Sequence, residues 1–322
     1  MERKSNDKHD TVLLSEAVEG LMIQAKDVVV DATIGAAGHF ALLHSKLGHE
    51  GILIGIDADR EAVGRAERAV EGKRGPKVRV MNDNFRNLDA ILDQVGVAKI
   101  DRVLFDLGWS GYHLESGRGF SFQTHEPLIM TYGTPGEGET AAELVNSATE
   151  EELADILYTY GEERFSRGIA KSIVAQRRAD PILTTDDLVK AVENGTPSWY
   201  HHRKLHPATK TFQALRIAVN DELGALREGL TAAVGRLSDG GRVAVISFHS
   251  IEDRIVKNLF RDAARAGKGS LVNRKPLTPS AEELAKNPRA RSAKLRIFAA
   301  AGESVAVLFV ALAVPALVMT YL

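Results

Sequence analysis

The sequence predicts a doubly wound α/β fold, in which helices cover both faces of a mainly parallel sheet. Short runs rich in Val, Ile and Leu alternate with segments of helical spacing at intervals of about 25 residues. Three of these runs end in an acid, namely Asp31, Asp57 and Asp106. Because such sheets bind ligands at the carboxyl ends of their strands, we expect the three carboxylates to lie along one edge.

The first strand and the turn after it form the first candidate ligand site. Val28-Val29-Val30-Asp31 is a buried-strand pattern, and small residues follow up to Gly38 before a helical segment over 40–47. This order brings the backbone N–H groups of a helix N-terminus against a nucleotide-like ligand. An ordinary tight turn would have the same residues, so this motif alone leaves both interpretations open.

A second acid at a strand end strengthens the ligand interpretation. Asp57 closes the second strand 19 residues after Gly38, close to the spacing at which an acid receives ribose hydroxyls. The alternative is that Asp57 caps the next helix, predicted over 60–71. Phe85 follows the third strand, where an aromatic ring either stacks on an adenine or packs in the core.

The periodicity divides the chain into five parts. Alternation of strands and helices stops after the fourth strand and resumes with a long amphipathic helix over 212–237 and a strand over 242–248, while 267–288 has a loop-like composition. The predicted parts are a first part of the core (1–110), a site-covering loop (111–138), a helical insertion (139–211), a second part of the core (212–300) and a hydrophobic tail (303–322).

The composition excludes several kinds of site. The chain of 322 residues has no cysteine, which excludes disulfides, thiolate metal sites and cysteine nucleophiles. His201, His202 and His206 have no acid close by, so we predict no metal site. The polar N-terminus (1–10) lacks the apolar core of a signal peptide, and we therefore expect a cytoplasmic protein.

The C-terminal tail leaves open whether the protein is attached to a membrane. Val305 to Leu322 carries no charge and reaches the lower length limit for a membrane-spanning helix, with Lys294 and Arg296 before it. If this segment inserts into a bilayer, it would tether the protein to a membrane. A buried terminal strand or helix is the alternative, and Pro315 interrupts a simple helix.

Two basic segments are candidate contacts for nucleic acid, although the net charge of −2 gives no general attraction. Residues 195–219 contain no acid and include aromatic side chains that suit unstacked bases. Residues 286–296 also lack an acid. A solvated basic face is the alternative for both. The predicted RNA-binding residues are Arg203, Lys204, Lys210, Arg216, Arg289 and Arg291.

Several long strings of the sequence form one recognisable set. The strings are Asp31-Ala32-Thr33-Ile34-Gly35, Gly38-His39, Arg118-Gly119-Phe120-Ser121-Phe122, Tyr160-Gly161-Glu162-Glu163-Arg164-Phe165, His206-Pro207-Ala208-Thr209, Phe212-Gln213-Ala214-Leu215-Arg216-Ile217-Ala218-Val219-Asn220, Ile246-Ser247-Phe248-His249-Ser250 and Asn287-Pro288-Arg289-Ala290-Arg291-Ser292. Together they resemble one family, the MraW (RsmH) ribosomal RNA small subunit methyltransferases, and the resemblance covers residues 9–296.

The resemblance implies a class I S-adenosylmethionine-dependent methyltransferase with a helical insertion domain. It implies methylation of the exocyclic N4 of cytosine 1402 in 16S rRNA, within the small ribosomal subunit, and leaves a homodimer open. The cofactor contacts that the resemblance implies by position are Ala37, Gly38, His39, Asp57, Phe85, Asp106 and His113. Gly35 of the same turn is added to this set.

Asp106 is the candidate catalytic residue. The lone pair of a cytosine amino group is delocalised into the ring, so an enzyme must accept its hydrogens and align the nitrogen with the sulfonium methyl group. Asp106, at the end of the fourth strand, would act as hydrogen-bond acceptor or base. The target base must be presented unstacked.

The chain departs from the family pattern near the site. The family's turn usually reads Gly-x-Gly-Gly-His, whereas this chain has Ala37 at the third position, and both Trp109 to Glu115 and Ile129 to Gly133 differ. The alternatives are the same reaction in a reshaped pocket, or a divergent paralogue with another substrate or only RNA- and ribosome-binding activity. An NAD-dependent oxidoreductase is disfavoured, since Gly-x-Gly-x-x-Gly is absent.

Overall fold

The chain forms two compact units. The computed structural model describes residues 11–108, 111–133, 136 and 138–302. One unit, the sheet unit, contains the described residues up to Gly108 and from Ala225 onward. The other, the helical unit, contains the described residues from 111 to Gly224, so it continues past the boundary at 211 expected from the sequence.

A seven-stranded sheet in the described part of the chain organises the sheet unit, with strand order β3-β2-β1-β4-β5-β7-β6. Strands β1 to β5 pair in parallel, while β7 runs antiparallel to both β5 and β6. The doubly wound α/β prediction is therefore confirmed, with one antiparallel strand added. The strands are β1 (Val28–Asp31), β2 (Ile52–Asp57), β3 (Lys77–Asn82), β4 (Ile100–Asp106), β5 (Leu237–Ser247), β6 (Gly269–Leu271) and β7 (Lys294–Ala300).

The helices of the described residues are numbered in chain order, and α12 spans the boundary between the two units. The helices are α1 (Leu14–Leu21), α2 (Gly38–Lys46), α3 (Arg60–Val70), α4 (Leu88–Gln94), α5 (Gly111–Glu115), α6 (Ala141–Ser147), α7 (Glu150–Gly161), α8 (Ser166–Arg177), α9 (Thr185–Asn194), α10 (Ser198–His201), α11 (Thr209–Asn220), α12 (Glu222–Arg236), α13 (Ser250–Arg265) and α14 (Ala281–Lys286). Two short 3₁₀ helices, Phe85–Asn87 and Pro288–Ser292, complete the set described.

Both faces of the sheet are buried, as the β-branched strand pattern predicts. Val29 of β1 joins the core formed with α1, α2 and α3, and its neighbour Val30 points to the opposite face, where it is equally buried. On that opposite face Phe298 of β7 stacks on Phe260 of α13 with ring centroids 5.4 Å apart. This double burial fixes the register, because a slip of one residue would exchange the two faces.

The predicted single helix over 212–237 is wrong. The structure has two helices, α11 and α12, separated by Asp221 in the left-handed conformation with φ 42°. An aspartate tolerates this conformation better than most residues, and it turns the chain between the helices. The apolar spacing continues across the break, which is why periodicity alone gave one helix.

The C-terminal part of the sheet unit also differs from prediction. The segment 267–288, expected as a loop, contains β6 and α14. Part of the basic segment 286–296 becomes β7, in which Leu295 is fully buried and Arg296 Nε donates to Asp253 Oδ1 at 2.6 Å. Charges that alternate with apolar residues concealed this strand, because their partner on α13 is distant in sequence.

The helical unit has its own apolar core. Its members come from α6 to α9 and from α11, with Leu157, Ile173 and Leu215 among the fully buried side chains. Capping boxes begin α6, α7 and α9, with Thr140, Thr149 and Thr184 as the cap residues. The helices expected from sequence in this region are therefore confirmed.

No helix within the described residues is long and apolar enough to cross a membrane. The hydrophobic tail predicted over 303–322 lies outside the described residues.

Candidate active site

The turn between β1 and α2 has the strained backbone that a ligand-binding turn needs. Ala37 lies at φ 64° and ψ 16°, and no side chain caps the N-terminus of α2 at this position. Gly38 lies against the Thr11 side chain. A Cβ atom at position 38 would overlap Thr11 Oγ1. The glycine is thus required by close packing, while the left-handed conformation falls on Ala37.

Asp57 is bound to this turn. Its Oδ2 accepts the Gly35 N–H at 2.8 Å, and its Oδ1 accepts the Asp59 N–H at 2.8 Å. The cap of α3 is Asp59, which accepts the Glu61 N–H, so the alternative of Asp57 as the helix cap is wrong. Burial raises the pKa of Asp57 to about 6, although the two N–H donors act in the opposite direction.

Arg65 of α3 holds the other side of the turn. Its Nε donates to the Gly35 carbonyl at 2.9 Å, and its Nη2 lies 3.1 Å from Asp59 Oδ2. The side chains of Arg65 and Asp59 are 11% and 8% exposed, so their ion pair is largely shielded from water. Sequence analysis missed Arg65, because only the fold brings α3 to Gly35.

Asp31, His39 and Asp106 come together at the carboxyl ends of β1 and β4. His39 Nδ1 lies 3.3 Å from Asp106 Oδ2, and the Asp106 backbone N–H donates to Thr33 Oγ1 at 2.6 Å. Asp31 is fully buried, and its Oδ1 accepts the Thr33 N–H at 3.2 Å. Thr33 therefore ties the two strand ends together, a role that sequence analysis did not assign.

The charges of this cluster shift the pKa values of its members. Burial raises the pKa of Asp31 to about 7, although the nearby charge of His39 opposes this rise. Burial alone would lower the pKa of His39, but its hydrogen bond to Asp106 and the charges of Asp106 and Asp31 outweigh it, so the pKa is raised. Asp31 and His39, whose pKa values are both raised, thus stand beside Asp106.

Buried polar atoms of this cluster lack a partner among the described residues. They are Asp31 Oδ2, His39 Nε2 and Asp106 Oδ1. An unsatisfied buried polar atom costs about 1–3 kcal/mol, so three together indicate that a polar ligand completes the site. Oxygen acceptors of this kind fit a ligand with an ammonium group and hydroxyls, which S-adenosylmethionine has.

Phe85 and His113 occupy different environments. Phe85 is half-buried and packs edge-on against Phe105, with ring centroids 5.5 Å apart, so it has a core role whether or not it also contacts a ligand. His113 belongs to the helical unit, where its buried ring lies 5.3 Å from that of Phe120 and 5.0 Å from that of Tyr132.

The basic residues predicted for RNA occur in both units. Arg203 and Lys204 of the helical unit are exposed, and Lys210 Nζ donates to the Glu162 carbonyl at 2.6 Å. Arg289 and Arg291 are exposed on a 3₁₀ helix of the sheet unit.

Arg216 is the exception and requires a correction. It is buried, and its Nε and Nη2 donate to Glu222 Oε1 and Oε2 at 2.6 and 2.8 Å. A bidentate pair of this kind is structural, so Arg216 is withdrawn from the predicted phosphate contacts.

Comparisons with known proteins identify the family. The MraW methylase family matches residues 6–301. The chain is 43% identical over 305 residues to a ribosomal RNA small subunit methyltransferase H of Brevibacillus brevis, covering 90% of this chain and 96% of that protein. It is 46% identical over 292 residues to the protein of the same name from Deinococcus radiodurans, covering 90% and 88%.

A solved rRNA methylase from Streptococcus thermophilus aligns with 94% of this chain and 98% of its own, at 12% identity and a TM-score of 0.39, which is too low to add to the assignment. The family match and the two relatives cover most of the chain. This chain therefore belongs to the MraW methylase family, a family of S-adenosylmethionine-dependent methyltransferases.

Proposed function

We propose that this chain methylates the exocyclic N4 of cytosine 1402 in 16S rRNA of the small ribosomal subunit, with S-adenosylmethionine as methyl donor. The observation that carries the proposal is Asp106 Oδ1, a buried acceptor without a partner among the described residues, at the end of β4. The names of the curated relatives support the ribosomal substrate.

The sheet unit offers the groups that would hold the cofactor. Asp57 would accept ribose hydroxyls on the lone pairs that its two backbone N–H donors, those of Gly35 and Asp59, leave free. The turn from Gly35 through Ala37, Gly38 and His39 would present its backbone to the cofactor, and Phe85 would offer a ring face to the adenine. The assignment of His113, which lies in the helical unit, rests on the family resemblance alone. When bound, the cofactor supplies an electrophilic methyl group on a positively charged sulfur.

Asp106 would act on the cytosine amino group. Its Oδ1 accepts an amino hydrogen, which reduces delocalisation of the nitrogen lone pair into the ring and aligns the nitrogen for attack. After methyl transfer the nitrogen carries an extra proton, and the Asp106 carboxylate takes it. His39 Nδ1 holds Oδ2 of the same carboxylate, so the carboxylate keeps its orientation during both events.

The position of Ala37 favours retained activity over a divergent, noncatalytic paralogue. The side chain is 4% exposed and is part of the apolar core of the sheet unit, together with Ile34 and Phe40. A methyl group packed in the core does not require the cofactor to be excluded.

We propose RNA contacts at the exposed residues Arg203, Lys204, Arg289 and Arg291 and at the half-buried Lys210, which would bind phosphates. A substrate in the small ribosomal subunit places the protein in the cytoplasm. Whether residues 303–322 tether it to a membrane, and whether it forms a homodimer, stay predictions.

The test has two arms. Calorimetric titration of the purified protein with S-adenosylmethionine should give one saturable site. Small subunits purified from cells lacking the gene should gain N4-methylcytidine when they are incubated with the protein and S-adenosylmethionine, as measured by nucleoside mass spectrometry. No cofactor binding by folded protein would favour the noncatalytic alternative. Cofactor binding without N4-methylcytidine would point to another substrate.

A further inference from the structure

An exposed tryptophan marks the helical unit. Trp199 lies on the short helix α10 and is 51% exposed, whereas its neighbour Tyr200 is 4% exposed. Exposure of so large a ring forgoes the stabilisation that burial would give, and tryptophans so placed are frequent in binding sites.

The ring of Trp199 is held in place by its surroundings. The Arg164 guanidinium carbon lies 4.6 Å from the Trp199 ring centre and 4.7 Å from the Phe165 ring centre, so the cation contacts both rings. The Phe165 ring meets Trp199 at 65°, with centroids 5.8 Å apart. These contacts limit the motion of an exposed side chain and prepare it for a flat ligand.

Tyr200 anchors this arrangement to the core. Its hydroxyl donates to Glu163 Oε2 at 2.6 Å, and Oε1 of the same fully buried carboxylate accepts the Phe165 N–H at 2.9 Å. Burial and the hydrogen bond to Glu163 raise the pKa of Tyr200 to about 12, which keeps the hydroxyl a donor. One buried carboxylate, that of Glu163, thus fixes Phe165 and Tyr200, which follow Arg164 and Trp199 in the chain.

Exposed cationic side chains lie close to Trp199 and Tyr200. The Arg203 guanidinium carbon lies 5.2 Å from the Tyr200 ring centre, and Lys204 follows as an exposed side chain. Residues 195–219 contain no acid. We refer to Arg164, Phe165, Trp199, Tyr200 and Arg203 as the Trp199 platform.

We propose that the Trp199 platform stacks an unpaired base of the RNA substrate, with Arg164 and Arg203 beside the adjoining phosphates. This inference rests on the proposed function, since it assumes an RNA substrate. Aromatic rings flanked by guanidinium groups are the chemistry that single-stranded RNA recognises, because each base offers a face to stack and each phosphate a negative charge. Cations around the ring favour RNA over an apolar protein partner.

The first test uses oligouridylate of 12 nucleotides as a single-stranded probe at low salt. Stacking should quench the fluorescence of Trp199, and Trp199→Phe should lose this quench while it keeps most of the affinity measured by anisotropy. Trp199→Ala should weaken binding by about five-fold or more. Tyr158→Ala is the matched control, because Tyr158 is another exposed aromatic residue of the helical unit.

The second test measures methyl transfer to small ribosomal subunits. Trp199→Ala should raise KM for the subunits and leave cofactor affinity unchanged, with folding checked by its thermal transition. If this folded variant binds oligouridylate and small subunits as the wild type does, the stacking role of the Trp199 platform is overturned, while the proposed function stands. If the wild-type protein methylates no subunits, the proposed function fails, while the fluorescence titration still decides on the platform.

Discussion

Asp106 is the residue on which the proposed chemistry depends. Asp106→Asn keeps the shape of the side chain and removes its capacity to take a proton. We expect kcat for methyl transfer to fall by about 10²–10⁴-fold, the usual contribution of a positioned proton acceptor. Single-turnover assays on small subunits would measure this, and Asp93→Asn, at an exposed site on α4, should retain full activity. A fully active Asp106→Asn variant would contradict the assignment.

Asp31 makes the stability of the ligand-free protein depend on pH. Its pKa is raised from 3.8 to about 7, so between these values the folded chain keeps a proton that the unfolded chain releases. The free energy of unfolding should therefore fall as pH rises from about 4 to 7, by at most about 1.4 kcal/mol per pH unit.

Asp31→Asn has no proton to release, so urea unfolding between pH 5 and 8 should show a shallower fall for this variant than for the wild type. Asp57 contributes in the same direction up to about pH 6 in both proteins. Parallel curves for the two proteins would show that Asp31 does not titrate in this range.

At the scale of the elements, α3 supports the turn between β1 and α2. Arg65→Met removes the hydrogen bond to the Gly35 carbonyl and the ion pair with Asp59. We expect a loss of about 2 kcal/mol or more in unfolding free energy, with weaker binding of S-adenosylmethionine.

Arg68→Met, at an exposed position of the same helix, is the matched control and should stay within about 0.5 kcal/mol of the wild type. Chemical unfolding and calorimetric titration measure both effects. If Arg65→Met binds the cofactor as tightly as Arg68→Met does, the turn does not need the support of α3.

The sequence predicted the elements whose signals are local. Runs such as Val28–Asp31 are recognisable because both faces of the strand are buried, and the acids at strand ends follow from position along the chain. β7 was missed because its charged residues, such as Arg296, look solvent-exposed until Asp253 is brought beside them. The roles of Arg65 and Thr33 were missed for the same reason, since each depends on a contact made only in the folded chain.

At the scale of the whole molecule, residues 303–322 can be tested by removal. A chain that ends at Gly302 retains β7, which pairs with β5 on one side and β6 on the other. We therefore expect its thermal transition and cofactor binding to match those of the full chain. A clearly lower transition temperature would instead support a buried terminal element, and a membrane fraction that contains only the full chain would support a tether.

The order of the chain also has a consequence for its synthesis. β4 pairs with β5, but the whole helical unit is translated between them. During translation the strand pairs among β1 to β4 can form first, while one side of β4 stays exposed until β5 has left the ribosome. The helical unit, which is rich in local contacts, can fold in that interval. A pause in translation after β4 would therefore prolong the exposure of an open strand edge and favour aggregation of the nascent chain.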